Sequence, residues 1–258
     1  MSAPATSATG SIPVRVFPTR AAMGAAAARE AGDVIRASLA RKGEVRIVFA
    51  AAPSQQEMLD SLVAEPGIDW TRVAAFHMDE YIGLPPGAPQ RFARWLDERL
   101  FLRLPFGAVH RIDPEAFPDA EACAADYAAR LAAAPIDLVC LGIGVNGHIA
   151  FNDPPVADLH DPLAVKSVEL DDICRQQQVD DGCFPSFAAV PTHALTLTVP
   201  RLVDCGHMVC VVPGPAKREA VRRTLHDPLG EACPATALRL HPRCTLYLDA
   251  ESDPHGRG

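Results

Sequence analysis

Apolar positions along the chain gather into short continuous runs, and the stretches between the runs carry apolar residues at helical spacing. Val45 to Ala50, Arg72 to Phe76, Ile136 to Cys140 and Met208 to Val212 read as strands of a parallel sheet covered on both faces. His193 to Val199 alternates like a strand with one face exposed, and Leu163 to Leu170 and Thr245 to Asp249 complete the set. Residues 21 to 41 predict an alanine-rich surface helix, with Met23, Ala27, Val34, Ile35 and Leu39 inward and Gly43 where a C-terminal cap belongs. Further helices are predicted over Arg91 to Leu102, Asp119 to Ala133 and Asp171 to Gln178, from Pro215 onward, and near Pro234 to Leu240. Ser54 and Glu57 have the spacing of a capping box, which predicts a helix starting at Ser54. Strands that alternate with helices predict an α/β fold: an open, mostly parallel Rossmann-like sheet with helices on both faces.

With 258 residues and 48% hydrophobic content, the chain can bury a normal core as one domain. Residues 13–252 are expected to form it, residues 1–12 to be a disordered tail of small residues, and residues 253–258 to be a loose C-terminal tail. No apolar run approaches the roughly 18 residues of a membrane span, and the N-terminus lacks a signal-peptide pattern, so a cytoplasmic protein is expected. The eight cysteines include no C-x-x-C pair, and Cys140, Cys210 and Cys244 lie inside apolar runs, as buried free thiols in a reducing compartment would. Cys205, His207 and Cys210 lack a second pair at zinc-site spacing, so no metal is assigned. A formal net charge of −8 and the lack of any basic run longer than two residues argue against a nucleic-acid partner.

Two loops carry the candidate chemistry. After the Ile136 strand, Gly142, Gly144 and Gly147 spell G-x-G-x-x-G, but Pro154 and Pro155 leave no room for the helix that a dinucleotide fingerprint opens. The glycines instead bring backbone close to a ligand and swing Asn146, His148 and Asp153 into a crevice at the strand end. After the Arg72 strand, Asp79 and Glu80 stand side by side. Such a pair is either a solvated loop acid or cap, or a general base whose neighbour lifts its pKa. Lys217 falls in the first turn of a helix, where a lysine suggests an anion held between it and free N–H groups.

Phe76-His77-Met78-Asp79-Glu80-Tyr81-Ile82-Gly83-Leu84-Pro85 and Leu141-Gly142-Ile143-Gly144-Val145-Asn146-Gly147-His148-Ile149-Ala150-Phe151-Asn152-Asp153-Pro154 resemble the two signature segments of glucosamine-6-phosphate deaminases. The resemblance extends through Val190 to Thr196, Gly214 to Lys217 and Pro234 to Pro242, covering nearly the whole chain from about residue 13. It implies conversion of glucosamine 6-phosphate and water to fructose 6-phosphate and ammonia, without metal or organic cofactor, on a small phosphorylated amino sugar. It further implies that His148, oriented by Asn146 and Asp153, opens the sugar ring and that Asp79 moves the proton from carbon 2 to carbon 1. Ser54, Gln55, Glu80, Gly144, Gly147, Arg175 and Lys217 would bind substrate, Lys217 as the phosphate-binding lysine.

The chain departs from that family at three places. Position 153 is aspartate where glutamate is usual, and position 146 is asparagine where some members have aspartate. The threonine-glycine-glycine-threonine-proline loop that cradles phosphate is replaced by Ala50-Ala51-Ala52-Pro53-Ser54-Gln55-Gln56, and the usual downstream arginine is unmatched except for Arg175. Galactosamine 6-phosphate deaminase or isomerase, 6-phosphogluconolactonase and a non-catalytic sugar-phosphate-binding protein are the competing readings. No DNA-binding segment precedes residue 45, which weighs against the regulator form of the last. A reduced C-terminal extension predicts little activation by an amino-sugar effector, and a homo-oligomer is compatible with the sequence but not specified by it.

Overall fold

The computed structural model describes residues 12–154 and 156–256. Among the described residues, ten strands make two sheets. Strands β1 (Val14–Phe17), β2 (Val45–Phe49), β3 (Val73–His77), β5 (Ala108–His110), β6 (Leu138–Leu141), β9 (Met208–Val212) and β10 (Cys244–Asp249) form a seven-stranded sheet in the order β1-β10-β9-β6-β2-β3-β5. Every pair in it is parallel. Strands β4 (Asp79–Tyr81), β7 (Val165–Glu169) and β8 (His193–Leu197) form a separate antiparallel sheet in the order β4-β8-β7.

The pleat divides the large sheet's side chains between two cores. Ile47 and Phe49 of β2 pack with α1 (Arg20–Lys42) and α2 (Gln56–Val63), through Met23, Ile35, Met58 and Leu62. Val48, Val139 and Val212 face the other way, toward α4 (Ala120–Ala132) and α7 (Arg218–His226), through Tyr127, Leu131 and Val221. Parallel strands covered on both faces account for the unbroken apolar runs in the sequence.

β2 leads to β3 and β5 on one side, whereas β6, paired on β2's other edge, leads to β9 and β10 on the opposite side. The chain reverses its direction of travel between β2 and β6, which is where open α/β sheets form a crevice at the carboxyl ends of their strands. Residues 50–55 follow β2 and residues 142–148 follow β6, so both loops open into it.

Several expectations are corrected. The helix over residues 21 to 41 runs from Arg20 to Lys42, capped at its C-terminus by Gly43 as predicted and at its N-terminus by Thr19, but it buries ten residues including Ala27, Ala31 and Ile35, more than a surface helix would. Ser54 does not cap a helix: Pro53–Gln55 is a 3-10 turn, α2 starts at Gln56, and Glu57 pairs with Arg20 at 2.8 Å instead of folding back. Proline at the first position of that turn moves the helix start downstream. The Leu163 and His193 runs are strands, but antiparallel and outside the parallel sheet. The expected tail 1–12 lies outside the described residues except for Ile12, which is buried, and Pro13 accepts a hydrogen bond from the Leu246 N–H. Residues 253–256 form a hydrogen-bonded turn whose His255 ring meets His226, and 257–258 lie outside the described residues.

Candidate active site

β3 ends in a buried frame that aims the next residues. The Tyr127 hydroxyl donates to the His77 carbonyl at 2.9 Å and accepts from its N–H at 3.0 Å, while His77 Nε2 accepts from the Ile112 N–H at 2.8 Å. Burial drives the His77 imidazole down to about 3, so it stays neutral and can accept. Met78 carries the chain out of the large sheet, and Asp79 pairs with Thr196, Glu80 with Leu195 and Tyr81 with Ala194.

Adjacent strand residues face opposite ways, and the two acids separate accordingly. Asp79 lines a cavity at the strand ends. Glu80 is fully buried behind it and accepts from the N–H groups of Tyr81, Phe92 and Ala93 at 2.9–3.0 Å, with Arg91 at 3.8 Å. It anchors the start of α3 (Phe92–Leu96) and does not line the cavity, which places it apart from its expected substrate-binding role. Burial outweighs those donors and lifts the Glu80 carboxyl to about 7. Asp79 is raised well above the usual carboxylate range, first by burial and then by the charges of Glu80 and Asp153.

The second loop is built around an imidazole laid on glycine. A Cβ at Gly144 would lie 2.1–2.3 Å from three atoms of the His148 ring, so no other residue leaves the ring in place. Gly147 has φ +89°, and a Cβ there would meet the Cys233 sulfur at 2.5 Å. Asn146 Oδ1 accepts from the His148 N–H at 3.0 Å and lies 2.8 Å from Nδ1, and Asp153 Oδ1 lies 2.9 Å from the same nitrogen. Asn146 Nδ2 donates to Asp153 Oδ1 at 2.8 Å. Both neighbours of Nδ1 are acceptors, which assigns the proton to Nδ1 and leaves Nε2 with a free lone pair. Burial pushes the Asp153 carboxyl up, but His148 and Asn146 more than offset that and leave it below its ordinary value. Aspartate at 153 therefore reaches the imidazole without the longer glutamate side chain.

β8 joins the two loops. Thr196 sits opposite Asp79, and its hydroxyl accepts from the Phe151 N–H at 3.0 Å, while Asn152 Nδ2 donates to the Leu197 carbonyl at 2.8 Å. Sequence reasoning missed Thr196 and Asn152; the alternation of the His193 strand was the available signal, but its pairing with residues 79–81 was not.

The cavity has a volume of about 140 Å³ and opens to solvent. Its walls include Ala50 to Gln55, Met78, Asp79, Phe92, Trp95, Gly142 to Gly144, His148, Phe151, Gln178 and Asp181. Of the predicted binding residues, Ser54, Gln55 and Gly144 line it, and Gln55 Nε2 donates to the Val211 carbonyl at 3.3 Å. Arg175 does not: its guanidinium bonds the Phe187 and Val190 carbonyls at 3.2 and 3.1 Å and stacks 4.0 Å from the Phe187 ring centre. Lys217 lies in a neighbouring depression with Gln176, Gln177 and Asp181, its pKa lowered by burial.

Cys174, which the sequence did not single out, brings its thiol beside Asp153, and the His148, Asp153 and Cys174 ligand atoms lie within 4.8 Å of one another. A metal could be offered three donors there, but Nδ1 and the Asp153 oxygen already face each other at hydrogen-bonding distance. An ion bonded to both at about 2 Å would have to displace that contact.

Residues 18–246 match the family model described as glucosamine-6-phosphate isomerases/6-phosphogluconolactonase. The chain is 35% identical over 226 residues to a glucosamine-6-phosphate deaminase of Mycolicibacterium smegmatis, covering 85% of this chain and 84% of that one. It is 34% identical over 225 residues to the glucosamine-6-phosphate deaminase of an Arthrobacter species, with the same coverage. A solved structure of a monomeric glucosamine-6-phosphate deaminase superposes with a TM-score of 0.85 at 26% identity, covering 93% of this chain and 98% of that one. A 6-phosphogluconolactonase from Trypanosoma brucei shares the fold, with a TM-score of 0.76 at 21% identity over 94% of this chain and 98% of that one.

Proposed function

The chain belongs to the glucosamine-6-phosphate isomerase/6-phosphogluconolactonase family, and from that membership and the geometry of its cavity we propose that it is a deaminating aldose-ketose isomerase. The reaction is glucosamine 6-phosphate and water to fructose 6-phosphate and ammonia. One observation carries the reading: Asp79, with a raised pKa, and His148, with its Nδ1 side fully engaged, line the same cavity.

In the proposed mechanism His148 Nε2 takes the proton of the anomeric hydroxyl and returns it to the ring oxygen, opening the pyranose. Its Nδ1–H contacts with Asn146 and Asp153 hold the tautomer and stabilise the transient imidazolium. Asp79 then removes the proton from carbon 2 of the open-chain sugar, and the electrons pass through an enolamine. Return of the proton to carbon 1 gives the ketimine, and water adds at carbon 2 to release ammonia. A carboxyl lifted toward neutrality suits both halves of that transfer.

A lactonase would need neither carbon-2 proton transfer nor a base at Asp79, and the solved lactonase structure, at 21% identity, is alike in fold alone. We further propose that residues 13–252 work as one catalytic domain. A cytoplasmic setting is supported by the eight free cysteines. Among the described residues no helix is long and apolar enough to cross a membrane.

The test is ammonia release together with exchange of the carbon-2 hydrogen in deuterated water. Both are expected from the purified protein, and Asp79→Asn should remove both while leaving the fold intact by circular dichroism. The acid limb of kcat/KM is expected above the ordinary carboxylate range, because activity falls as pH drops through the raised Asp79 pKa. Exchange that survives Asp79→Asn would remove Asp79 from the mechanism.

A further inference from the structure

Asp153 holds the imidazole with only half of its carboxylate. Its Oδ1 accepts from Asn146 Nδ2 at 2.8 Å and lies 2.9 Å from His148 Nδ1. Its Oδ2 is buried and is served by no N–H or hydroxyl group among the described residues. A bare carboxylate oxygen in a dry interior is costly, and the terminal torsion of an aspartate is broad and two-fold, so nothing so far fixes the plane of the group. A swing of that plane would carry Oδ1 away from Nδ1.

A donor is within reach. Cys174, in α5 (Asp172–Asp180), is completely buried, and the His148, Asp153 and Cys174 ligand atoms lie within 4.8 Å of one another. Burial, and after it the Asp153 charge, lifts the thiol well above its ordinary pKa. It therefore keeps its proton and acts as a hydrogen-bond donor, not as a nucleophile. Cys174 is absent from the walls of the cavity, so it meets no part of a sugar there.

The helix that carries Cys174 already grips the same loop. Gln177, three residues on and on the same face, accepts from the Val145 N–H at 3.0 Å through its Oε1. Asp171, which caps the helix by accepting from the Ile173 N–H at 3.2 Å, also accepts from Asn146 Nδ2 at 3.5 Å. The thiol thus stands on an element whose place relative to residues 145 and 146 is set independently of Asp153.

We infer that the Cys174 S–H donates to Asp153, at the Oδ2 oxygen left over by Asn146 and His148, and that Cys174 is a positioning residue for the imidazole. The thiol sets the plane of the carboxylate, the carboxylate holds Nδ1, and Nε2 is thereby aimed at the cavity. The inference rests on the deaminating reading above, in which His148 opens the ring, and adds a residue to it. Because Cys174 touches no substrate, its loss should appear in kcat and not in KM.

The test compares Cys174→Ala, which deletes the donor, with Cys174→Ser, which differs from the alanine by one hydroxyl and restores a donor. Ammonia release from glucosamine 6-phosphate gives kcat and KM. Difference Raman spectra of the unaltered protein against either variant isolate the S–H stretch of this thiol from those of the other cysteines. Cys174→Ala is expected to lower kcat about tenfold at unchanged KM, and Cys174→Ser to stay within about threefold of the unaltered protein. The isolated S–H band is expected at the low frequency of a thiol bonded to a carboxylate, and to rise in Asp153→Asn. Should Cys174→Ala not fold, the serine variant still supplies the difference spectrum, and the band decides. An alanine variant as active as the unaltered protein, equal losses in both variants, or a band at the free-thiol position would overturn the inference and leave the deaminase standing. No ammonia from the folded, unaltered protein would overturn the deaminase reading and this inference together.

Discussion

At Gly144 the side chain that is missing matters as much as any that is present. The imidazole of His148 occupies the volume a Cβ would take, at 2.1–2.3 Å, so the glycine positions the group we propose opens the ring as directly as Asn146 and Asp153 do. Gly144→Ala must displace the ring, and a misplacement of about 1 Å is enough to cost roughly a hundredfold in rate. We expect a fall in kcat of that order, measured by ammonia release, with the carbon-2 exchange of a ring-opened substrate analogue far less affected. Equal loss of both activities would mean that the alanine had disturbed the whole cavity. Asn146, His148 and Asp153 were legible as a polar group in a glycine-rich loop after a strand, whereas position alone did not separate Asp79 from a loop acid or cap, and its role came from the resemblance. The role of Glu80 was not legible, because which of two adjacent acids faces a cavity depends on strand pleat, and residues 79–81 did not read as a strand.

Short elements were the hardest to read. β1, β4 and β5 have four, three and three residues, too few for a periodic signal to rise above a loop. β7 and β8 were legible as strands, yet their exclusion from the parallel sheet was not, since pairing is decided by tertiary contacts and not by the alternation itself. The consequence falls on Thr196, which supports the base-bearing strand through its backbone and the His148 loop through its hydroxyl. Thr196→Val keeps the shape and removes the acceptor for the Phe151 N–H, leaving that group buried and unpaired. A loss of about 1–3 kcal/mol in urea unfolding is expected, together with a lower kcat for both the ring-opening and proton-transfer steps. If only one step slowed, the strand would not be coupling the two loops.

Across the whole molecule the parallel sheet, its two cores and the crevice at its reversal point were all legible, since apolar runs spaced by helices leave few other topologies. Its acid sensitivity was not, because His77 looks in sequence like one more polar residue beside the Asp79 motif. Its imidazole is held at about 3 in the folded protein. An unfolded chain takes up that proton near pH 6.5, so as pH falls from there toward 3 the unfolded state gains protons that the native state refuses, and stability is lost. Relative to the unaltered protein, His77→Gln should therefore gain about 1.4 kcal/mol for each pH unit below 6.5, read from urea midpoints between pH 6.5 and 4.5. A difference independent of pH would show that His77 does not carry the effect.

The small antiparallel sheet gives Asp79 and His148, the two groups proposed to react, a common mounting. Asp79 lies on β4 and the His148 loop is tethered to β8, so neither depends on the seven-stranded sheet alone for its place. Asp79 and His148 are thereby linked to one another through β8 as well as through the large sheet. Their separation is then expected to hold on heating after cavity walls without such a tether have loosened.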